Sequence, residues 1–384
     1  MKRFFLAALA FLTLTLLLTG CKKETASDDK IKIGLNFELS GDVAQYGIAE
    51  AEGAELAIEQ ANASGNFDKE IVAIKYDNAY NAAETSAIIT RLATEDKVSG
   101  VIGPAVSGMA MAQYQAGNQY GVVMISPSAT ADAATLDANG NAYDFAFRAC
   151  FIDSYQGAAA ANFVARDMEK LKAVVIYDSG SDYAIGLYNT FSEKFTALGG
   201  TIVAAEAYID SDTDFSAILT KINGEDFDVI YIPGYYNQAG LIIKQARELG
   251  IMVPIVGPDG FDSPTLVDLA GASNLNDVYF TTAYSNLSTD PDQAAFIEAY
   301  KAKYGKEPNM FAALGYDATN LLLAAIQQAG SSDPAAVQQA LLNISGFKGV
   351  TGTITFDEYH NPIKPVLMVK LVNGEQAESI EVQP

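Results

Sequence analysis

Between Ser99 and Thr130 two apolar runs, Val101-Ile102 and Val122-Val123-Met124-Ile125, each end in a turn rich in Gly, Pro and Ser. Gly103, Pro104 and Ser107 follow the first run; Ser126, Pro127, Ser128 and Thr130 follow the second. Hydroxyls beside unpaired backbone N–H groups are the chemistry of a small anion site, sized for a carboxylate. The runs are continuous rather than alternating, so they read as parallel strands buried on both faces, with a helix between them. Ligands of open α/β sheets sit outside the carboxyl ends of the strands, where these hydroxyls fall. Taken singly, Ser107 and Ser128 also suit the N-caps of helices that follow them.

Other chemistries have little to work with. The sole histidine, His360, lies in a DEYHNP turn and reads as a surface residue. The two cysteines, Cys21 and Cys150, are far apart, and no HExxH occurs. A zinc site or a Ser-His-Asp triad therefore lacks its parts. Cys150, within FRACFID, reads as a small buried apolar residue rather than a nucleophile. No GxGxxG follows a strand and no GxxxxGK[ST] is present, so nucleotide binding is unsupported. No cofactor and no metal are expected.

The chain has 384 residues, 49% of them hydrophobic, enough for two domains with a large core. Its formal charge of −23, spread rather than blocked, argues against a nucleic-acid partner and against adhesion of the body to anionic lipid. It reads as a solvated surface. The N-terminus differs from the rest. Lys2 and Arg3 precede the apolar stretch Phe4–Leu18, which is short for a spanning helix, and Leu18-Thr19-Gly20-Cys21 closes it. The tetrapeptide resembles a bacterial lipobox, which implies a lipoprotein signal over residues 1–20, lipidation of Cys21, and a polar tether over 21–30. Cys150 is then left without a disulfide partner.

The elements that carry the strand tips alternate. Strand Ile31–Asn36 leads through Leu39-Ser40-Gly41 and Tyr46-Gly47 into a long Ala/Glu helix ending near Gly65. Strand Ile71–Tyr76 and helix Asn81–Thr94 precede the opening stretch, and Phe145–Cys150 is extended. A second βα series runs from Ala173 to a short helix after Ser263. A third has a strand at Val278–Phe280, helices at Gln293–Tyr304, Phe311–Gln328 and Pro334–Leu342, and closing strands at Thr351–Phe356 and Pro365–Leu371. This is an α/β pattern with mainly parallel, Rossmann-like sheets. Ala73–Asp77 echoes Val174–Asp178, and Val101–Pro104 echoes Ile255–Pro258, as in two similar lobes whose strand tips face each other.

Six motifs then occur in order: LSGDVAQYG (39–47), GPAVSG (103–108), ISPSAT (125–130), FRACFIDSYQG (147–157), PGYYNQAG (233–240) and GPDG (257–260). Together they resemble the type I periplasmic-binding-protein family, specifically its leucine/isoleucine/valine-binding members, over roughly Ile31 to Leu371. The resemblance implies two lobes, 31–148 with 283–356 and 149–282 with 357–384. Three crossovers, near Arg148–Ile152, Tyr279–Ala283 and Phe356–Pro362, form their hinge. It also implies that Ser107 binds a ligand α-carboxylate, that the Ser128-Ala129-Thr130 turn adds the N–H groups of Ser128 and Thr130, and that the Thr130 hydroxyl takes part in binding the ammonium. Asp259 pairs with the α-ammonium, Tyr235 adds an aromatic contact, and Tyr46, Tyr183 and Phe311 line the side-chain pocket.

Two departures stand out. Members of the family often carry Glu where this chain has Asp259, and the positions of a disulfide found in some members are Tyr80 and Val106 here. Asp259 also suits a turn cap in PDGFDS. The implied function is an extracytoplasmic, lipid-anchored ABC-importer receptor for a branched-chain amino acid. It is monomeric, performs no chemistry of its own, and delivers to permease and ATPase subunits. A sensor with the same fold, or an amidase-like enzyme, are the other readings.

Overall fold

The computed structural model describes residues 30–384; the leader at 1–20, Cys21 and the tether up to residue 29 lie outside the described residues. The first lobe is built on β1 (Lys30–Phe37), β2 (Glu70–Asp77), β3 (Gly100–Ile102), β4 (Met124–Ser126) and β5 (Ala146–Arg148), in the order β2-β1-β3-β4-β5. β1–β3, β3–β4 and β4–β5 pair in parallel. β3, β4 and β5 are wholly buried, which is why their apolar runs are unbroken. Helices α1 (Ala44–Ser64), α2 (Ala82–Arg91) and α3 (Ser107–Gly117) connect these strands. The chain reverses direction across the sheet at β1, which puts the segments after β1 and β3 side by side at a switch point.

The second lobe starts with α4 (Asp153–Asn162) and alternates β6 (Lys172–Asp178), α5 (Asp182–Ala197), β7 (Thr201–Tyr208), α6 (Ser216–Ile222), β8 (Val229–Tyr231), α7 (Tyr236–Glu248), β9 (Ile255–Gly257), α8 (Pro264–Ala270) and β10 (Val278–Thr282). The chain then forms α9 (Pro291–Tyr304), α10 (Met310–Ala329), α11 (Pro334–Leu342) and the hairpin β11 (Phe347–Gly349)–β12 (Gly352–Ile354). It ends with β13 (Val366–Val372) and β14 (Glu375–Val382) on the second sheet, whose order is β14-β13-β10-β9-β8-β6-β7. Only β13 and β14 run antiparallel to their neighbours. The switch point lies at β6, so the segments after β6 and β8 adjoin.

Two glycines set how α1 and α10 meet. A Cβ on Gly53 would lie 2.0 Å from the Ala312 carbonyl oxygen, and one on Gly315 would lie 2.2 Å from that of Glu50. The helices therefore touch backbone to backbone, and this brings Tyr46 of α1 against Phe311 of α10, with ring centroids 4.3 Å apart.

The structure corrects the sequence reading in three places. The strand expected at Thr351–Phe356 is present as the shorter β12, but it pairs in a hairpin with β11, which was not expected, across the turn Val350-Thr351. β14 was not expected, because its sequence is polar and it lies at a sheet edge; its turn, Asn373-Gly374 with φ 51° and 80°, is a strong hairpin signal. His360 is not a surface residue. It is 8% exposed, stacks 4.4 Å from Phe147 and bonds the Ala146 carbonyl through Nδ1 at 2.8 Å, because its turn folds back onto β5. Cys150 is buried, as expected, and burial pushes its thiol up to about 12.

Candidate functional site

The carboxyl ends of both sheets converge on one cavity. Eight residues singled out from the sequence line it: Tyr46, Ser107, Ser128, Thr130, Tyr183, Tyr235, Asp259 and Phe311. Ala105, Val106 and Gly260 complete the lining. Ala129 does not. Its N–H donates to Ser126 Oγ (3.0 Å) and its carbonyl accepts from Arg148 Nη1 (2.8 Å), so both backbone groups serve the turn itself.

The first lobe supplies the hydroxyl end. Ser107 is the first residue of α3, but it does not cap that helix; its Oγ accepts from the Ala131 N–H at 3.1 Å. The α3 N-terminus, with its partial positive charge, points the same way. Ser128 Oγ contacts the Ala105 carbonyl at 2.9 Å and the Glu50 carboxyl. The Thr130 hydroxyl is buried and faces the Asp153 carboxyl. Behind this end, the buried Glu38 accepts from the N–H groups of Ala105 (3.0 Å) and Val106 (3.4 Å), and burial pushes its carboxyl up to about 7.

The second lobe supplies an acid. Asp259 opens a single 3-10 turn after β9 and is 3% exposed. Its side chain does not cap that turn: Oδ1 accepts from Tyr183 Oη at 2.5 Å and from Gln156 Nε2 at 3.1 Å. Burial raises it from 3.8 to about 6, against the lowering effect of these bonds. Asp153 is also buried; burial, then repulsion from Asp259, pushes its carboxyl well up, against the lowering effect of the Thr130 hydroxyl and Gln156. Two buried acids here, with no cation bonded to either among the described residues, make this end attractive to a positive group.

Aromatic rings close the walls between the two ends. Tyr183 and Tyr235 stack at 5.1 Å, and Tyr235 meets Tyr46 edge-on at 5.7 Å. Tyr46 Oη also donates across the cleft to the Gly260 carbonyl (2.5 Å) and accepts from the Tyr236 N–H (3.3 Å). The cavity thus offers hydroxyls at one end, a carboxyl at the other and aromatic rings between. That suits a small zwitterion with an apolar side chain.

Sequence reasoning missed Gln156, Asp153, Glu50 and Glu38. Gln156 was within reach: it lies in the FRACFIDSYQG motif, and it receives Thr281 Oγ1 at 2.8 Å while holding Asp259. Glu50 stands four residues after Tyr46 on α1, hence on the same helix face.

The family described as periplasmic binding protein matches residues 30–376. The chain belongs to that family. Among binding proteins of known structure, it is 42% identical to the branched-chain amino acid transporter substrate binding protein LivJ of Streptococcus pneumoniae, solved in complex with isoleucine. That match covers 92% of this chain and 100% of the other, with a TM-score of 0.88. The leucine binding protein LivK of Thermotoga maritima is 33% identical over 92% of this chain and 99% of its own, with a TM-score of 0.84. The leucine-, isoleucine-, valine-, threonine- and alanine-binding protein of Pseudomonas aeruginosa is 29% identical over 342 residues, 89% of each chain. The fold is that of the type I periplasmic binding proteins: two α/β lobes on mainly parallel sheets.

Proposed function

We propose that this protein is the substrate-binding component of an ABC importer, that it captures a branched-chain L-amino acid between its lobes, and that it performs no chemistry on it. The observation that carries this reading is the placing of a buried acid, Asp259, opposite Ser107, Ser128 and Thr130 across an aromatic-walled cavity. The LivJ relative holds isoleucine, in keeping with the reading.

The mechanism follows from where the anchors stand. The α-carboxylate takes the Ser107 hydroxyl and the donors of the 128–130 turn on the first lobe. The α-ammonium takes Asp259 on the second and the Thr130 hydroxyl on the first. Each charge loses its hydration on entry and needs a fixed partner, so a ligand carrying both ties the lobes together. We assign residues 31–148 with 283–356 to one lobe and 149–282 with 357–384 to the other, closing about the three crossovers. The rings of Tyr46, Tyr183, Tyr235 and Phe311 reward an aliphatic side chain by about 0.8 kcal/mol for each buried methylene. Lipidation of Cys21 anchors the protein, as a monomer, outside the membrane, where its closed form docks on the permease. Titration calorimetry of the purified protein with the twenty amino acids tests the reading. Heat of binding from leucine, isoleucine or valine supports it, and silence from all three refutes it.

A further inference from the structure

Glu50 is the buried acid that the ligand anchors leave unused. It lies on α1, is 0% exposed, and its Oε2 has no hydrogen-bond partner. The charges that act on it are those of Glu38, just after β1, and Asp259, after β9, both acids. A carboxylate buried among acids without a cation is strongly disfavoured.

Ser128 Oγ contacts two oxygens, Glu50 Oε1 and the Ala105 carbonyl. A hydroxyl carries one hydrogen, and a backbone carbonyl only accepts. If Ser128 donates to Ala105, the second contact is a hydrogen bond only when Glu50 donates to Ser128. An ionised Glu50 would leave two acceptors facing one another at 2.9 Å, at Ser128 and Ala105.

We propose that Glu50 is held as a neutral carboxylic acid donating to Ser128 Oγ, and that this bond makes it the positioning residue of the Ser128–Thr130 turn. Ser128 then donates to Ala105 and accepts from Glu50, so its hydroxyl cannot rotate and the turn is fixed against β3. The close approach of Gly315 to the Glu50 backbone holds α1 in place for this bond. The effect on ligand affinity rests on the cavity being an amino-acid site; the protonation state does not.

The test uses E50Q, which keeps a donor for Ser128, E50L, which removes it, and S128A, which removes the acceptor. Infrared difference spectra of wild type against E50Q at neutral pH are expected to lose a carbonyl band of a protonated carboxylic acid, and S128A is expected to shift that band. Leucine affinity is expected to stay within about threefold in E50Q and to fall about tenfold or more in E50L. Loss of carboxylate bands instead, an unshifted band in S128A, or E50Q binding as weakly as E50L overturns the proposal. Should E50L not fold, E50Q affinity and the two spectra decide. Should wild type bind no amino acid, the amino-acid reading fails, while the spectra still decide the state of Glu50.

Discussion

Replacing Asp259 tests the cation end of the cavity. The carboxyl is 3% exposed and held by Tyr183 and Gln156, so an ammonium placed against it meets a preorganised, desolvated partner. Breaking a buried charge pair costs about 3–5 kcal/mol, which is roughly 10²–10³-fold or more in Kd. Asp259→Ala is expected to weaken leucine binding by that factor in calorimetry. Glu298→Ala, on the exposed face of α9, is expected to change it less than about twofold. The pH dependence gives an independent arm. The ammonium pairs with the ionised carboxyl, whose value in the unliganded protein is about 6, so affinity falls as pH drops through 6. At pH 5 about one molecule in eleven is ionised, so leucine is expected to bind about tenfold more weakly than at pH 7, while its own α-groups keep their charges. Asp259→Asn is expected to remove that slope. Equal losses in Asp259→Ala and Glu298→Ala, or the same slope in Asp259→Asn as in wild type, would refute the reasoning.

The remaining predictions concern stability, closure and anchoring. Because burial raises Asp259 from 3.8 to about 6, its favourable contribution to folding is complete below 3.8 and lost above about 6. Asp259→Asn should therefore stabilise the unliganded protein at pH 8, by up to about 3 kcal/mol in urea denaturation. Tyr46→Phe removes the bonds to the Gly260 carbonyl and the Tyr236 N–H and should weaken leucine binding by about 5–15-fold; no change in Kd would show that these bonds do not support closure. Lys364, buried beside Thr351 and Asp317, donates to the Ala149 carbonyl at 3.0 Å. Lys364→Met should lower stability by about 3 kcal/mol, and adding Asp317→Asn should recover part of the loss in the same denaturation assay. Cys21→Ala should abolish incorporation of labelled palmitate into the protein in cells.

The fold was legible where burial imposed a pattern. β3, β4 and β9 are covered on both faces, so their apolar runs stand out from the turns that end them. β14 has exposed and half-buried positions along nearly its whole length, which leaves no run to read, and only the Asn373-Gly374 turn announced it. For the site, strand-tip hydroxyls pointed to an anion but not to its partner. Asp259 lies more than a hundred residues from Ser128 in sequence, and only the order of the family's motifs joined them; eight of the nine residues so named line one cavity. Glu50 was hidden for a different reason. In an Ala/Glu helix a glutamate reads as solvent-facing, and it is the backbone contact of Gly53 and Gly315 with the facing helix that buries this one. His360 was misread similarly, since a polar turn gives no sign that it folds back on Phe147.

The central claim is that one zwitterion is anchored by both lobes at once, and a crystal structure of the protein grown with leucine tests it most directly. The account predicts a single amino acid in the cavity, its carboxylate on Ser107 and the Ser128–Thr130 turn, its ammonium on Asp259, and its side chain among Tyr46, Tyr183, Tyr235 and Phe311. A ligand bound to one lobe alone, one with its charges reversed, or a cleft left empty at saturating leucine would contradict it.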